Sequence, residues 1–378
     1  CYCDFGWYGI YQRDIFRCVD DWNRRKPNCD LHRTFLGARR GIRDTVVDTC
    51  REATGAIWTS VMKLNKFWLI IAVVFLAGIG FTVVADNEFY FYTTYAVMQL
   101  MIMGIAWNIL GGFTGYVNFG SGGFFAVGAY TTVFLHRLFD GPPLLIAVLV
   151  APIVCGLIGL AVGYFTLRLK GVYFAIATLA VAIILETVVI NWEFVGGAGG
   201  YYLLIPENIV FFDSYIEWLF TLILAITLIA IAVSRYLNSS KIGQGLAAIR
   251  DDELAAECMG VPTLRLKLIS TTVMGGLMGM AGAPFPYFIT FVEPVSAFNL
   301  LIAVNAIAVP MIGGTASWIG PVIGGLLLGT IQETVTVNIS SELNMLIVGV
   351  VLVGFISLAP QGIVGLYQDF MRKRRKRN

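Results

Sequence analysis

The stretch RYLNSSKIGQGLAAIRDDELAAECMGVPTLRLK, residues 235–267, is a long polar interruption in a chain that otherwise reads as a series of apolar segments. Five basic residues lie in it: Arg235, Lys241, Arg250, Arg265 and Lys267. Because loops on the cytoplasmic side of membrane proteins are rich in Lys and Arg, the stretch predicts a cytoplasmic loop. Structureless loops beyond about 12–15 residues are uncommon unless they are functional.

Local signals in this loop predict a short helix over residues 252–259. Asp251 is the expected N-cap, and Glu253 in the first turn is favoured by the helix dipole. Gly260 is the expected residue after the C-cap, and Pro262 marks a stop just beyond it. The alanines of the loop leave a surface of small side chains that another protein could approach closely.

The composition indicates a membrane protein. Hydrophobic residues make up 57% of the chain and charged residues 13%, whereas a soluble protein has about 25% charged residues. About 20 apolar residues cross a bilayer as a helix. Ten apolar stretches are candidate spans, at about 67–84, 90–111, 119–138, 144–166, 171–191, 215–234, 266–288, 298–314, 319–337 and 343–359.

The charges between these stretches predict their direction. One side of the membrane receives the basic connections, which are Arg168 with Lys170, the 235–267 loop and the basic tail at 372–378. The connections on the other side carry mostly acidic residues. The expected fold is therefore an all-α, polytopic integral membrane helical bundle with about ten transmembrane helices and both termini in the cytoplasm. The glycine-rich region 111–123 could also break or re-enter, because seven glycines crowd residues 111–128.

Three parts make up the predicted domain organisation. Residues 1–61 are a polar, Arg-rich extension that precedes Met62, the first methionine, so one hypothesis is that the native protein starts at Met62. A small cytosolic domain is the alternative for this extension. Residues 62–371 form the transmembrane domain. Residues 372–378 form a basic cytoplasmic tail that is expected to lie against anionic lipid, with no role in nucleic-acid binding.

Four stretches carry a resemblance to a known family. They are NILGGFTGYVNFGSGGFFAVGAY at 108–130, TLRLKGVYFAIATLA at 166–180, MIGGTASWIGPVIGGLLLG at 311–329 and GLAAIRDDELAAECMGVPTLRLKL at 245–268. Together they resemble the permease subunits of the branched-chain amino-acid ABC transporter family. The resemblance implies that the 235–267 loop docks into a groove on a separate ATPase subunit.

The candidate site residues form two groups. The resemblance implies that the loop couples to the ATPase through Gly245, Ala248, Arg250, Asp251, Asp252, Glu253, Ala255, Ala256 and Gly260. The polar and small residues of the membrane segments predict a translocation pathway that includes Asn108, Gly115, Asn118, Gly120, Tyr173, Thr178 and Glu186. An acid within a membrane helix usually faces protein or water, which is the reason for including Glu186.

The resemblance also implies partners. These are two ABC ATPase subunits, a second homologous permease subunit, an extracytoplasmic solute-binding protein and the lipid of the bacterial plasma (inner) membrane. The sequence has no GxxxxGK[ST] motif and no nucleophile elbow, and neither of its two histidines belongs to a catalytic motif, so we expect a transport subunit without enzymatic activity. No cofactor or metal is expected on this chain, and ATP is expected to be used by the partner subunits.

Two alternatives to a branched-chain amino-acid importer stay open at this point. The loop after residue 191 departs from the family pattern, with Val195 in place of Thr and Tyr201 and Tyr202 in place of a Leu-containing end. A urea or short-amide ABC permease is therefore an alternative within the family. A stand-alone secondary transporter is the alternative from another class, although such a carrier has no reason to keep the 241–262 segment.

Overall fold

A computed structural model describes residues 67–82, 87–139, 144–203 and 214–338, together with separate residues between 346 and 366. The predicted extension 1–61, the basic tail 372–378 and most of the last predicted span lie outside the described residues. The chain divides into two compact units, residues 1–72 and 73–378. Apart from the beginning of the first helix, the described residues belong to the second unit.

The described residues are helical with two very short strands. The helices, in chain order, are α1 (Phe67–Thr82), α2 (Glu88–Thr114), α3 (Ser121–Phe139), α4 (Leu144–Thr166), α5 (Val172–Ile190), α6 (Tyr215–Ser239), α7 (Lys241–Asp251), α8 (Glu253–Cys258), α9 (Thr263–Gly282), α10 (Phe285–Ile289), α11 (Pro294–Ala297), α12 (Leu300–Gly313) and α13 (Ile319–Asn338). The strands are β1 (Tyr201–Tyr202) and β2 (Phe291–Val292), which pair in antiparallel fashion.

Among the described residues, six helical segments are long and apolar enough to cross a membrane. They are Glu88–Thr114, Leu144–Thr166, Val172–Ile190, Tyr215–Ser239, Thr263–Ile289 and Pro294–Gly313. The all-α, polytopic membrane fold is thereby confirmed. Helices α1, α3 and α13 fill three further predicted spans without reaching that length or hydropathy. The count of ten and the position of both termini stay predictions.

Helix α2 is the centre of the bundle and packs against α6, α9, α12 and α13. Every residue from Gln99 to Thr114 is buried. A helix that is apolar on all sides is expected in such a central position. Helix α9, which packs on α2, also packs closely on α4 through glycines. A Cβ added to Gly159 would lie 3.0 Å from the carbonyl oxygen of Thr271. Small residues let two membrane helices approach this closely.

The chain is not helical between α2 and α3. Helix α2 ends at Thr114, Gly115 takes a φ of +79°, and α3 begins at Ser121. The backbone N–H of Phe119 donates to Oγ1 of Thr178 at 3.3 Å. Thr178 is the seventh residue of α5, so this contact lies about 9 Å along that helix. The break therefore reaches into the bundle, where non-helical backbone is tolerated only if protein or water surrounds it.

Candidate functional site

A cluster of Tyr116, Glu253 and Lys267 joins the broken helix to the polar loop. The Lys267 ammonium donates to Glu253 Oε1 at 2.8 Å, and the Tyr116 hydroxyl donates to Glu253 Oε2 at 2.6 Å. Lys267 also lies 3.2 Å from the Tyr116 hydroxyl and 4.7 Å from the centre of its ring. Three elements thus meet at one carboxylate: the α2–α3 break, the start of α8 and the first turns of α9.

Helix capping explains why Glu253 stands at this point. Asp252 is the N-cap of α8, and its Oδ1 accepts hydrogen bonds from the backbone N–H groups of Leu254 at 2.9 Å and Ala255 at 3.1 Å. The sequence-based choice of Asp251 as the cap is wrong, because α7 continues through Asp251 and the chain becomes extended only at Asp252. Glu253 in the first turn is confirmed.

The end of α8 also agrees with the prediction. Gly260 takes a φ of +83°, the left-handed conformation expected of the residue after a helix C-cap. Helix α9 begins directly after Pro262. Both ends of α8 are therefore set by the local sequence, and the loop predicted at 235–267 contains two short helices, α7 and α8.

Burial and neighbouring charges determine the protonation state of the cluster. The Lys267 side chain is 3% exposed and that of Glu253 is 15% exposed. Burial alone would raise the pKa of Glu253, but the hydrogen bonds from Lys267 and Tyr116 and the charges of Lys267 and Lys170 outweigh it, so the pKa lies below its usual value. Burial and the hydrogen bond to Glu253 raise the pKa of Tyr116. The cluster is thus a charged carboxylate–ammonium pair with a neutral phenol.

A second contact ties α7 to the end of α2. Arg250 Nη1 donates to the carbonyl oxygen of Gly112 at 3.3 Å. This carbonyl belongs to the last turn of α2, where carbonyl groups lack partners within the helix and a positive charge is favourable. A Cβ added to Gly115 would lie 3.4 Å from Arg250 Cγ. Arg250 and Glu253 therefore both hold the polar loop against the start of the helix break.

Four of the predicted pathway residues come together along the break. Gly115 starts it, and the Asn118 side chain accepts from the backbone N–H of Gly120 at 2.7 Å. The Trp107 indole donates to the carbonyl oxygen of Asn118 at 2.9 Å. Gly120 passes so close to α5 that a Cβ there would lie 2.5 Å from the Thr178 carbonyl oxygen. Asn118, Gly120 and Thr178 are buried within the bundle.

The other three predicted pathway residues lie elsewhere. Asn108 is fully buried in α2 and its amide reaches the carbonyl oxygen of Ser317 at 3.5 Å, near the α12–α13 turn. Tyr173 is 73% exposed on the outer face of α5, and Glu186 is half-buried further along that helix. The structure does not bring these residues to the cluster, and a role for them in a pathway stays a prediction.

The predicted coupling residues separate into two groups. Exposed residues of the loop are Arg250, Asp251, Asp252, Ala255 and Gly260. Besides Glu253, three others face the bundle to different degrees. Ala256 is buried, Ala248 is half-buried, and a Cβ added to Gly245 would lie 2.5 Å from Leu266. The predicted surface of small side chains is therefore narrower than the sequence indicated.

Sequence reasoning missed Tyr116, the buried role of Lys267, and two exposed apolar side chains. Leu254 and Met259 are each 64% exposed on α8 and at its end. A large apolar residue in a segment predicted to lie outside the membrane is a signal that could have found them. No comparable signal joins Tyr116 to Lys267, because 151 positions separate them.

The apolar helices and the helix break that reaches into the bundle define the class of the molecule: it is a multi-pass membrane protein. The family of branched-chain amino acid transport system permease components matches residues 89–356, and the chain belongs to this family. The recognition made from the four sequence stretches is confirmed, as is the predicted multi-pass localisation in the membrane.

Curated relatives agree with this assignment. The chain is 27% identical over 293 residues to the high-affinity branched-chain amino acid transport system permease protein LivM of Escherichia coli, covering 71% of this chain and 68% of LivM. A probable branched-chain amino acid transport permease protein LivH of Methanocaldococcus jannaschii is 27% identical over 274 residues, covering 67% and 84%.

A more distant relative is the autoinducer 2 import system permease protein LsrC of Yersinia enterocolitica. It is 24% identical over 209 residues, covering 52% of this chain and 56% of LsrC. No solved structure shows significant similarity to the chain.

Proposed function

We propose that the chain is the membrane permease of an ABC importer that carries branched-chain or related amino acids across the bacterial plasma membrane. The observation that carries the proposal is the anchoring of the α7–α8 segment to the helix break through Glu253. Membership of the permease family and the named functions of LivM and LivH support the same conclusion. Separate subunits would hydrolyse ATP, and this chain would supply the pathway.

The outer surface of α7 and α8 is the proposed docking site for an ATPase subunit. It combines charged groups with the two exposed apolar side chains, Leu254 and Met259. Exposed apolar residues rimmed by polar ones mark protein interaction sites. The same segment buries Leu246 and Ile249 of α7 against the bundle, so a force on its outer face reaches the membrane helices directly.

Transmission inside the permease would run from α8 to the helix break. Movement of Glu253 displaces Tyr116, which lies two residues before Asn118 on the break, and movement of Arg250 displaces the last turn of α2. Because Gly120 touches α5 and lacks a side chain, a shift of the break changes how α3 packs on α5. This is how ATP-driven closure of the partners would switch the bundle between outward-facing and inward-facing states.

The proposed assembly contains two ATPase subunits, a second homologous permease subunit and an extracytoplasmic binding protein. The binding protein would deliver the solute and contribute much of its selection. Neither a cofactor nor nucleic acid has a role in this proposal. We place both termini in the cytoplasm, because the ten predicted spans then put α7 and α8 on the same side of the membrane as the ATPases.

The test is co-purification of the full chain with candidate ATPase subunits. Leu254→Asp and Met259→Asp change exposed side chains and leave the interior of the permease intact. Tyr202→Asp is the matched control: Tyr202 is 72% exposed but lies beyond the far end of α5, on the opposite side of the bundle. We expect both loop variants to lose the ATPase, and the control to retain it.

Other results point to the alternatives. Capture of an ATPase together with ATP-driven uptake of urea or a short amide, but not leucine or valine, identifies the amide permease. Absence of any ATPase, with solute movement by the chain alone down an ion gradient, identifies a secondary transporter and overturns the proposal.

A further inference from the structure

A cavity of about 260 Å³ lies between α2, α3 and the α10–α12 segment. Its wall on α2 includes Gln99 and Met103, the twelfth and sixteenth residues of that helix, so the cavity lies about 16–22 Å from the start of α2. This is near the middle of a hydrocarbon core of about 30 Å. Gln99 is buried, whereas Asn299 is exposed, so the cavity is closed on its α2 side and open beside α12.

Hydrogen bonds within the bundle fix which amide atoms are left for the cavity. The Gln99 amide nitrogen donates to the carbonyl oxygen of Ala281 at 3.3 Å and lies 3.5 Å from the Tyr95 hydroxyl, which leaves its carbonyl oxygen as an acceptor. On the α12 wall, the amide atom left for the cavity is a nitrogen rather than an oxygen. Asn305 Oδ1 accepts from Gln332 at 3.3 Å, which leaves the Asn305 amide nitrogen as a donor.

Asn299 is a second donor on the α12 wall. Its Oδ1 caps α12 by accepting from the backbone N–H of Leu301 at 2.9 Å, so its amide nitrogen is left as a donor. Asn299 therefore presents an N–H group at the N-terminus of a helix of 14 residues, and Asn305 presents another in the second turn of that helix. The dipole of such a helix favours negative charge at that end.

The rest of the wall is apolar and includes Met103, Phe125 and Phe285. The volume is larger than a cavity of about 150 Å³ that holds benzene and smaller than the 300–1,000 Å³ typical of drug-sized ligands. None of the described residues that line the cavity is charged. The size selects a small solute, and the amides can bind opposite charges at two separate places.

We propose that this cavity binds the zwitterion of an aliphatic amino acid during translocation. Asn299 at the start of α12 and Asn305 in its second turn donate to the carboxylate, Gln99 accepts from the ammonium, and the aliphatic side chain packs on Met103, Phe125 and Phe285. Amide ligands bind both charges without fixing either so tightly that release is prevented. The inference rests on the proposed function, because it requires that the solute passes through this chain.

The experiment measures leucine transported per ATP hydrolysed by the assembled importer in proteoliposomes, with the full chain carrying Asn299→Asp. Aspartate caps a helix as well as asparagine does, so the fold is retained while a donor becomes a negative charge. The matched control is Asn87→Asp, since Asn87 caps α2 in the same way, through a bond to Phe89 of 3.0 Å, away from the cavity.

We expect Asn299→Asp to lower leucine transported per ATP about 10-fold or more, and Asn87→Asp to change it by less than about twofold. A second variant, Phe125→Trp, fills the cavity and is expected to give the same loss. The second measurement is binding of radiolabelled leucine to the importer in nanodiscs without the binding protein. Leucinol and 4-methylpentanoate, which each lack one charge, should compete at least about 10-fold more weakly than leucine.

The experiments distinguish failure of the cavity proposal from failure of the proposed function. If the wild type transports leucine with ATP, and both cavity variants retain the wild-type ratio, the cavity proposal is overturned and the importer remains. Equal competition by leucinol and leucine, or ATP-driven uptake of urea without leucine, also overturns it. If no ATPase is captured and no ATP-driven uptake occurs, both proposals fall together.

Discussion

The Lys267 ammonium lies 2.8 Å from the Glu253 carboxylate in a site where the lysine is 3% exposed and the glutamate 15% exposed. The two residues belong to different elements, α9 and α8, and the pair is completed by Tyr116 from the helix break. A charge as buried as that of Lys267 requires a partner, because the free energy of an unpaired buried ammonium is several kcal/mol unfavourable. The α8 helix is therefore held to the bundle by electrostatics as well as by packing.

Removing the glutamate should be more damaging than removing the lysine. Glu253→Ala leaves Lys267 buried without a carboxylate, and we expect a loss of roughly 3 kcal/mol of stability. Lys267→Met removes the buried charge itself, while Glu253 keeps the Tyr116 hydroxyl, a Lys170 ammonium at 3.9 Å and some contact with water. Thermal unfolding of the purified full chain in detergent measures both.

The double variant tests whether the two residues interact. Combining Glu253→Ala with Lys267→Met should destabilise the protein by less than the sum of the single changes, because the second change removes the charge that the first leaves unpaired. Strict additivity would show that the contact contributes nothing beyond its separate side chains.

The pH dependence of this contact has a definite sign. The pKa of Glu253 is lower in the folded chain than its usual value. Its contribution to stability is therefore fully present above the unfolded pKa, about 4.3, and is lost as the pH falls through the folded pKa. The difference in melting temperature between wild type and Glu253→Gln should stay constant from pH 8 to 6 and shrink below about pH 4.3. A difference that already shrinks between pH 8 and 6 would require another titrating group.

Features set by neighbouring residues were predicted well from the sequence. Gly260 occupies the left-handed position after α8 because few other residues adopt it, and the helical content of the 235–267 loop follows from its capping residues. The one-residue error between Asp251 and Asp252 arose because both are good caps and only the hydrogen bonding of α7 decides between them.

Contacts between distant parts of the chain could not be predicted in this way. Nothing in the local sequence places Tyr116 beside Glu253, since the contact depends on how α2, α8 and α9 pack. The exposure of Tyr173 has the same origin. Tyr173 faces outward from α5 and its neighbour Phe174 faces inward, and the elements that pack against α5 decide which of the two is buried. The cavity beside Gln99 likewise requires three elements that are separated in sequence.

A side chain at Gly120 should disturb the helix break. In Gly120→Ala the new Cβ would lie 2.5 Å from the Thr178 carbonyl oxygen, and backbone must move to relieve it. We expect a destabilisation of about 1–3 kcal/mol, together with slower transport by the assembled importer. Gly199→Ala is the control, since a Cβ there meets nothing within 4 Å. Equal behaviour of the two variants would show that the contact between the break and α5 is loose.

The two adjacent aspartates of the loop should differ sharply, although the sequence alone does not distinguish them. Asp252→Ala removes two hydrogen bonds at the start of α8, and losing such a cap costs about 1 kcal/mol of helix stability. Asp251 is 78% exposed and lies 3.8 Å from Arg250 in a surface pair, which contributes little. We therefore expect Asp252→Ala to loosen α8 and weaken ATPase capture, and Asp251→Ala to leave the stability of α8 unchanged.

Hydrogen exchange over residues 253–259 measures the stability of α8 directly. If Asp251→Ala accelerates that exchange as much as Asp252→Ala does, Asp252 is not the cap that positions Glu253 against Lys267.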